Sequence, residues 1–414
     1  MSKRCLIVTH LSLRGLNQKK YGVYRRLALL AEAAQTEGSL LRVFCIEPYV
    51  DICSSESGLS AEIAADILDQ WGIECEVVIG RPKKQSTLPW LLQQFIGTLS
   101  YSWQPFTFHL LDKSSRVLLR QEVLKSPSYI IAHRLPMMNL LLTLKPVHTK
   151  IVFDLDDIEH VASIRSLSVI TSWRGRLFTA LSLPGLIYAE WIAVTRARVT
   201  FVCSQIDTAR TAAIFRSTRV SMLPNAVEMP PISSRAPAGR VLLMVGIYSY
   251  SPNSDAADYF AKEIFPLIRS SYPDVELWFA GGSPESLKCY TMDYSGVRFL
   301  GFVDNLGDVY KQARVVICPI RLGSGTRVKL VEAAAWGKPI VTTTVGAEGL
   351  ELKEDFHVLY GDTSQKFAEQ CTILLGDMDL CEKLGKNARA LAEASYEKHQ
   401  IIQNLVVELD SSLE

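Results

Sequence analysis

The sequence has no excess of charge of either sign. Lys and Arg total 44 against 43 Asp and Glu, a formal net charge of +1. A protein that holds nucleic acid through its overall field is strongly basic, so that class is demoted. Paired cysteines are also missing. The nine cysteines (Cys5, Cys45, Cys53, Cys75, Cys203, Cys289, Cys318, Cys371 and Cys381) include no CxxC pair. Several, such as Cys45 in LLRVFCIEP and Cys318 in RVVICPI, lie inside apolar runs, where a reduced thiol behaves as a small hydrophobe. That pattern predicts a cytosolic chain without disulfides or a structural zinc site. The start, MSKRCLIVTH, turns polar too soon for a signal peptide. No clean run of about 20 apolar residues is present. The nearest, Leu177 to Val194, carries Pro184, Gly185 and Glu190. A carboxylate is costly in a bilayer and Pro-Gly interrupts a helix, so a buried or interfacial helix pair is expected there. A fixed-period repeat is absent too, which argues against a solenoid.

What is present is globular. The chain is 48% hydrophobic and 21% charged, which argues against disorder, and 414 residues suggest two or three domains. Short β-branched runs alternate with helical patterns. RCLIVT, LLRVFCI, CEVVIG, YIIA, KIVFDL and VTFVCS read as strands of the first half, with YRRLALLAEAAQ as a helix ended by Gly38. VEMPPISSRAPAGR, after Asn225, is the best linker candidate. The pattern then restarts with RVLLMVG, VELWFAG, VRFLG, RVVICPI, KPIVTTT and HVLYG, separated by helices such as DAADYFAKEIFPLIRSSY. Apolar strands alternating with helices predict parallel sheets covered on both faces. Two such α/β domains joined near residues 224–239 are expected, with ligands at the carboxyl ends of the strands and in the cleft between domains.

The most informative stretch is ICPIRLGSGTRVKLVEAAAWGKPIVTTTVGAEGL, Ile317 to Leu350. A strand ends at Pro319, a loop with Gly323 and Gly325 follows, and a helix is expected from about Thr326 to Trp336. A glycine loop opening onto a helix N-terminus offers free N–H groups and a favourable dipole to phosphate. Arg327 and Lys329 in the first turn oppose that dipole by roughly 0.3–1 kcal/mol each, so an anion should offset them. A diphosphate fits, at about 1.5–3 kcal/mol per charge-assisted bond. Glu332 is far enough along the helix to meet another part of the ligand, such as ribose hydroxyls.

This stretch resembles the donor-binding motif of family 4 glycosyltransferases (glycosyl transferases group 1). The likeness extends to LPNAVEMP as the interdomain hinge at Asn225, to MVGIYSYSPNSDAADYF, to LGFVDNLGDVYKQARVVICP as the nucleotide-base region, and to ARALAEASYEKHQIIQNLVVEL as the last helices. It is dense over residues 220–414. Before that it rests on YIIAHRLP, IVFDLDDIEH and YAEWIAVTRARVTFVCSQID. The resemblance implies the GT-B fold: two Rossmann-like parallel-sheet domains facing a cleft, an acceptor domain over 1–228, a nucleotide-sugar domain over 229–395, and a helix over 396–414 returning to the first. Glu332 matches the second glutamate of the EX7E motif, the ribose binder. The first glutamate's position holds Ser324, as in a subgroup with GSGTRVKLVE. In that subgroup Arg327 and Lys329 take the diphosphate, with Gly323, Ser324, Gly325 and Thr326 near phosphate or sugar. The basic residue usual after the first C-domain strand is missing from GIYSYSPN, so Arg327 and Lys329 are expected to supply its charge. His133 matches the active-site histidine, and Gly15 the glycine loop facing the diphosphate. Base selection falls near Phe302 and Val303.

The implied activity is retaining transfer of a hexosyl group from a nucleotide diphosphate sugar to a glycan, lipid-linked or protein acceptor. Cell-surface polysaccharide or glycoconjugate assembly is the family's usual work. No cofactor and no metal are expected, and no nucleic acid. Two rivals stay open: a nucleotide-sugar epimerase on the same fold, and a non-catalytic relative that binds a nucleotide sugar or a partner. Asp154, Asp156 and Asp157 in FDLDDIEH could bind a divalent cation, but helix capping or the acceptor side is favoured. His160 is expected at the surface. Leu88 to Phe108 reads either as core, the favoured reading, or as a face touching the inner side of the plasma membrane. Arg81, Lys83, Lys84, Arg116 and Arg120 nearby would suit anionic headgroups. Gly346 and Gly349 read as loop glycines.

Overall fold

The computed structural model describes residues 3–16, 22–47, 56–82, 111–144, 149–168, 170, 172–216, 219–231, 237–291, 295–323 and 325–413. They form two compact units, residues 1–224 with 399–414, and residues 225–398.

The first unit is built on seven parallel strands: β1 (Arg4–Val8), β2 (Leu40–Ile46), β3 (Cys75–Gly80), β4 (Tyr129–His133), β5 (Lys150–Asp156), β6 (Val199–Val202) and β7 (Val220–Met222). Their order is β3-β2-β1-β4-β5-β6-β7. The short β7 carries no apolar run, which is why the residue pattern does not announce it. Between the strands run α1 (Gly22–Thr36), α2 (Glu56–Trp71), α3 (Lys113–Leu124), α4 (Leu135–Thr143), α5 (Glu159–Ser166), α6 (Trp173–Arg196) and α7 (Gln205–Phe215). Asp112, Ser172 and Ser204 cap α3, α6 and α7 by accepting from amides three residues on. Pro184 does not interrupt α6, contrary to expectation. The helix runs 24 residues through it. A proline removes one backbone donor, and the exposed Pro184 does so on the solvent side, while the packed side of α6 holds its course.

The second unit has six parallel strands: β8 (Val241–Val245), β9 (Glu276–Ala280), β10 (Val297–Gly301), β11 (Val315–Cys318), β12 (Ile340–Thr342) and β13 (Val358–Tyr360). Their order, β10-β9-β8-β11-β12-β13, repeats that of the first sheet. Around them lie α8 (Ser251–Tyr259), α9 (Phe265–Ser271), α10 (Leu306–Gln312), α11 (Val328–Ala335), α12 (Ser364–Gly376) and α13 (Met378–Ser395). The helix expected over 255–272 is helical without a gap from Ser251 to Ser271, with a π turn at Phe260–Ile264 breaking its α-helical bonding. Pro266 explains the break, because it cannot donate the backbone bond that a regular helix needs there.

The chain passes between the units twice, at 224/225 and 398/399. Near these points, within the second unit, Val227 pairs with Glu397 in an isolated bridge. The Val227 amide donates to Tyr396 (2.9 Å), and the Lys398 amide donates to Val227 (3.1 Å). The final helix α14 (Lys398–Leu413) then belongs to the first unit, where Lys3 pairs with Asp410 at 2.7 Å. The eight described cysteines are all free thiols.

Candidate active site

In both sheets the chain order reverses between the first and fourth strands, β1/β4 and β8/β11. Loops leaving the carboxyl ends of two such strands diverge and leave a crevice, the usual ligand position in an open α/β sheet. Most of the predicted residues fall at these two places, whereas Phe302, Val303 and Asn225 follow the edge strands β10 and β7.

In the second unit, β11 ends at Cys318 and leads into the loop holding Gly323 and Gly325. Both glycines need the left-handed region, at φ +98° and +75°. Helix α11 begins at Val328, not Thr326, so Arg327 is its N-cap residue rather than part of its first turn. The reason is local: the Arg327 guanidinium folds back over the loop, donating to the carbonyls of Gly325 (2.9 Å) and Leu322 (3.1 Å). That contact holds residue 327 extended, at φ −92° and ψ 97°. The loop is braced from the other side by Arg321, which forks onto Asp255 (2.8 and 3.2 Å) and lies 3.9 Å over the Tyr259 ring.

Lys329, two residues on, reaches the opposite wall of the crevice. Its Nζ donates to Asn253 Oδ1 at 2.7 Å, and Asn253 Nδ2 donates to the Ile247 carbonyl at 2.9 Å. A Cβ on Gly246, at the end of β8, would lie 3.1 Å from the same Nζ. The lysine thus places its charge beside the β8 loop, whose own sequence has no cation. Burial lowers its pKa, and Arg327 adds to the effect while Glu332 opposes it. Glu332 is one turn further along α11 and half-buried. Thr326 Oγ1 accepts from Asn225 Nδ2 at 2.7 Å, which ties the predicted hinge residue to the glycine loop. Phe302 and Val303 follow the edge strand β10 at the same carboxyl side, Phe302 exposed and Val303 packed on the core. Gly346 and Gly349 lie in the turn after β12, Gly349 at φ +79°. Ser324 lies outside the described residues, as does Leu88 to Phe108 with Lys83 and Lys84.

In the first unit, His133 ends β4 and is fully buried. Its Nδ1 is 3.0 Å from Thr9 Oγ1, at the end of neighbouring β1, and its Nε2 is 3.8 Å from Asp154 Oδ2. Burial, reinforced by Arg134, holds its pKa well below the ordinary value, so the imidazole is neutral at pH 7. His10 stacks at 6.3 Å between ring centroids and is pushed down to about 4 by burial and by Arg134. Beneath the histidine runs an ion network. Arg26, buried on α1, forks onto Asp154 (2.7 and 2.9 Å) and reaches Asp156 (3.3 Å) and the Leu223 carbonyl (2.7 Å). Arg134, next to His133, pairs with Asp156 and stands at φ 70° and ψ 160°, a region nearly reserved for glycine.

Gly15 is in the loop after β1, at φ +66°. Its amide donates to Asp66 at 3.1 Å, while Glu47 takes the amides of Leu13 (2.6 Å) and Arg14 (3.3 Å). Resident carboxylates therefore already hold these N–H groups. The open side of Gly15 is its Cα, where an added Cβ would meet nothing within 4 Å.

The aspartate cluster divides. Asp154 serves the ion network, whereas Asp156, Asp157 and Cys203 bring ligand atoms within 4.8 Å of one another. That set suits a cation poorly. Asp156 is already paired with two arginines, and burial raises the Cys203 pKa well above its ordinary value, so it stays a thiol. His160, expected at the surface, is buried instead. Its ring pairs with Glu190 of α6, and its amide donates to the same carboxylate at 3.1 Å. The sequence pattern hid this because the partner lies 30 residues away.

Residues 239–377 match the family model of glycosyl transferases group 1. No curated protein matches the chain by sequence. Among solved structures, the chain is similar to Anabaena HepE in complex with UDP and glucose, at TM-score 0.67 and 14% identity over 99% of this chain and 100% of that one. Sucrose-phosphate synthase from Thermosynechococcus elongatus aligns at TM-score 0.70 and 13% identity over 99% and 98% of the two chains. WaaG, a glycosyltransferase involved in lipopolysaccharide biosynthesis, aligns at 0.62 and 13% over 97% and 98%. The chain therefore has the GT-B fold, and its match to glycosyl transferases group 1 lies within its second unit.

Proposed function

We propose that the chain is a retaining glycosyltransferase that moves a sugar from a nucleoside diphosphate donor to an acceptor hydroxyl. Cell-surface polysaccharide or glycoconjugate assembly is the proposed setting. The observation that carries the reading is the convergence of Arg327, Lys329 and the start of α11 at the switch point of the second sheet. In transfer, the bond between the sugar's anomeric carbon and the diphosphate oxygen breaks. A bond from the acceptor oxygen forms on the same face, and the acceptor proton passes to the leaving phosphate oxygen. Negative charge grows on the diphosphate as its bond lengthens, and fixed cations in a water-poor crevice stabilise it without reorganising. Side chains supply that charge here, so turnover is expected to survive chelation of divalent cations. Glu332 is assigned the ribose hydroxyls, and Phe302 and Val303 the base. Neutral His133 is assigned a sugar hydroxyl, and Gly15 a close backbone approach at its Cα.

HepE was solved with UDP and with UDP-glucose, which makes uridine diphosphate sugars the first donors to try. The test is a donor panel read by slow diphosphate release, repeated with Arg327→Ala and Glu332→Ala. Both variants are expected to lose donor affinity and turnover. Unchanged affinity and rate in both would sink the assignment, and donor binding with no release under any condition would identify a non-catalytic relative.

A further inference from the structure

Helix α6 presents an apolar face to solvent. Trp173, Leu177, Leu181, Tyr188 and Trp191 are between 44% and 69% exposed. At 3.6 residues per turn they share an arc of about 100° with Ala180 and Pro184, and the row runs about 27 Å along the axis. Such an ordered row differs from the scattered single hydrophobes common on any surface. The opposite face, with Gly185, Leu186, Ala189, Glu190, Ala193 and Val194, is buried against its own unit.

Charge selects the occupant. Arg174 and Arg176 are exposed and flank the apolar arc on either side, and Arg196 is exposed in the last turn. The helix has one carboxylate, Glu190, which is fully buried and paired with His160, so its exposed surface carries cations but no anion. Trp and Tyr at both ends of a row with arginines at its margins suit the headgroup layer, where amphipathic rings and cations both find partners. A span is the wrong geometry. Although its hydropathy passes for one, crossing a bilayer would pull the Glu190–His160 pair into hydrocarbon and unpack half the helix.

We propose that this face of α6 is an interfacial docking surface for an anionic lipid bilayer, with the helix lying in the headgroup plane. The proposal is independent of the transferase reading, because its test measures lipid binding alone. The full chain is floated with phosphatidylcholine vesicles with and without phosphatidylglycerol. Binding is expected to the anionic vesicles and to weaken with salt. Arg174→Gln with Arg176→Gln should lower affinity by roughly 30-fold at low salt, at about 1 kcal/mol per arginine. Arg174→Lys with Arg176→Lys should retain it. Trp173→Ser with Trp191→Ser should lower it by at least about tenfold. No binding to anionic vesicles would overturn the proposal, as would binding that none of these pairs alters. Resistance to alkaline carbonate extraction would show a span instead, and a dimer that the tryptophan pair dissociates, without lipid binding, would assign the face to a second copy.

Discussion

Lys329→Met tests the site most sharply, because function and stability should move in opposite directions. The methionine keeps most of the stem and removes the charge. A diphosphate that loses one charge-assisted hydrogen bond binds about 1.5–3 kcal/mol more weakly, a loss of roughly 10- to 150-fold in donor Kd. The donor-free protein responds otherwise. It loses the Nζ–Asn253 bond of 2.7 Å, while Asn253 keeps its own bond to Ile247. It also sheds a cation that burial disfavours, as the lowered pKa records. The unliganded Tm should therefore hold or rise, while the Tm increase on adding UDP shrinks. The sign of the pH effect follows. With the folded pKa below the unfolded value, the unfolded chain binds more protons between the two, so this lysine adds stability as pH rises through that window. Donor affinity falls over the same window, since a neutral amine has no charge to offer. Calorimetric titration with UDP and thermal melts of both proteins read all of this. A Kd within twofold of wild type together with a Tm several degrees lower would refute the reasoning, and Lys329 would then be a strut to Asn253.

Three other perturbations address the frame around the site. Gly281→Ala should unfold the second unit or cost about 3 kcal/mol or more, since the new Cβ would fall 1.8 Å from the Gly246 carbonyl oxygen; an unchanged melt would contradict this. Arg26→Leu should cost about 3–5 kcal/mol by leaving Asp154 buried without its partner, and adding Asp154→Leu should recover part of that; equal losses in urea unfolding would argue against coupling. Glu159 is pushed up to about 7 by burial and by Glu190, so its stabilising contribution is present in acid and lost as pH rises toward and past 7. Relative to Glu159→Gln, the wild type should lose about 2 kcal/mol between pH 5 and pH 8, and parallel pH profiles would show that the carboxyl does not titrate there.

The fold was largely legible because parallel strands buried on both faces must be continuous apolar runs, and twelve such runs stand out in the sequence. The glycine loop and the helix after it were legible for a local reason: strand, glycines, cations and helix are consecutive residues. What stayed hidden depends on distant partners. Arg26 sits among apolar residues of α1, on the same face as Leu27, Leu30 and Ala34. A cation on a buried face signals a carboxylate partner, but only the sheet brings Asp154 to it across 128 residues. Asn253 ends GIYSYSPN, and nothing in that stretch signals that Lys329, 76 residues on, reaches it. Gly281 needs its missing Cβ only because β8 and β9 bring two backbones together. Pro184 misled by the opposite route, since a sound local rule gave way to the packing of a long helix.

The two sheets share a strand order, yet their switch points are opposite in electrostatic character, and that contrast argues for a division of labour. At β1/β4 the loop amides already serve Glu47 and Asp66, the arginines already serve Asp154 and Asp156, and the buried His133 at the end of β4 is kept neutral. A dianion brought there would compete with resident carboxylates at each donor. At β8/β11 the polarity is reversed: Arg327 is anchored to carbonyls and Lys329 to an amide oxygen, neutral acceptors that orient the cations without cancelling their charge. Half-buried charge oriented by such groups attracts an incoming anion more strongly than the same charge in open water. Under the proposed function, the diphosphate is therefore assigned to the second unit. The first unit, with a neutral imidazole set in a rigid ion network, suits the uncharged hydroxyls of a sugar and its acceptor.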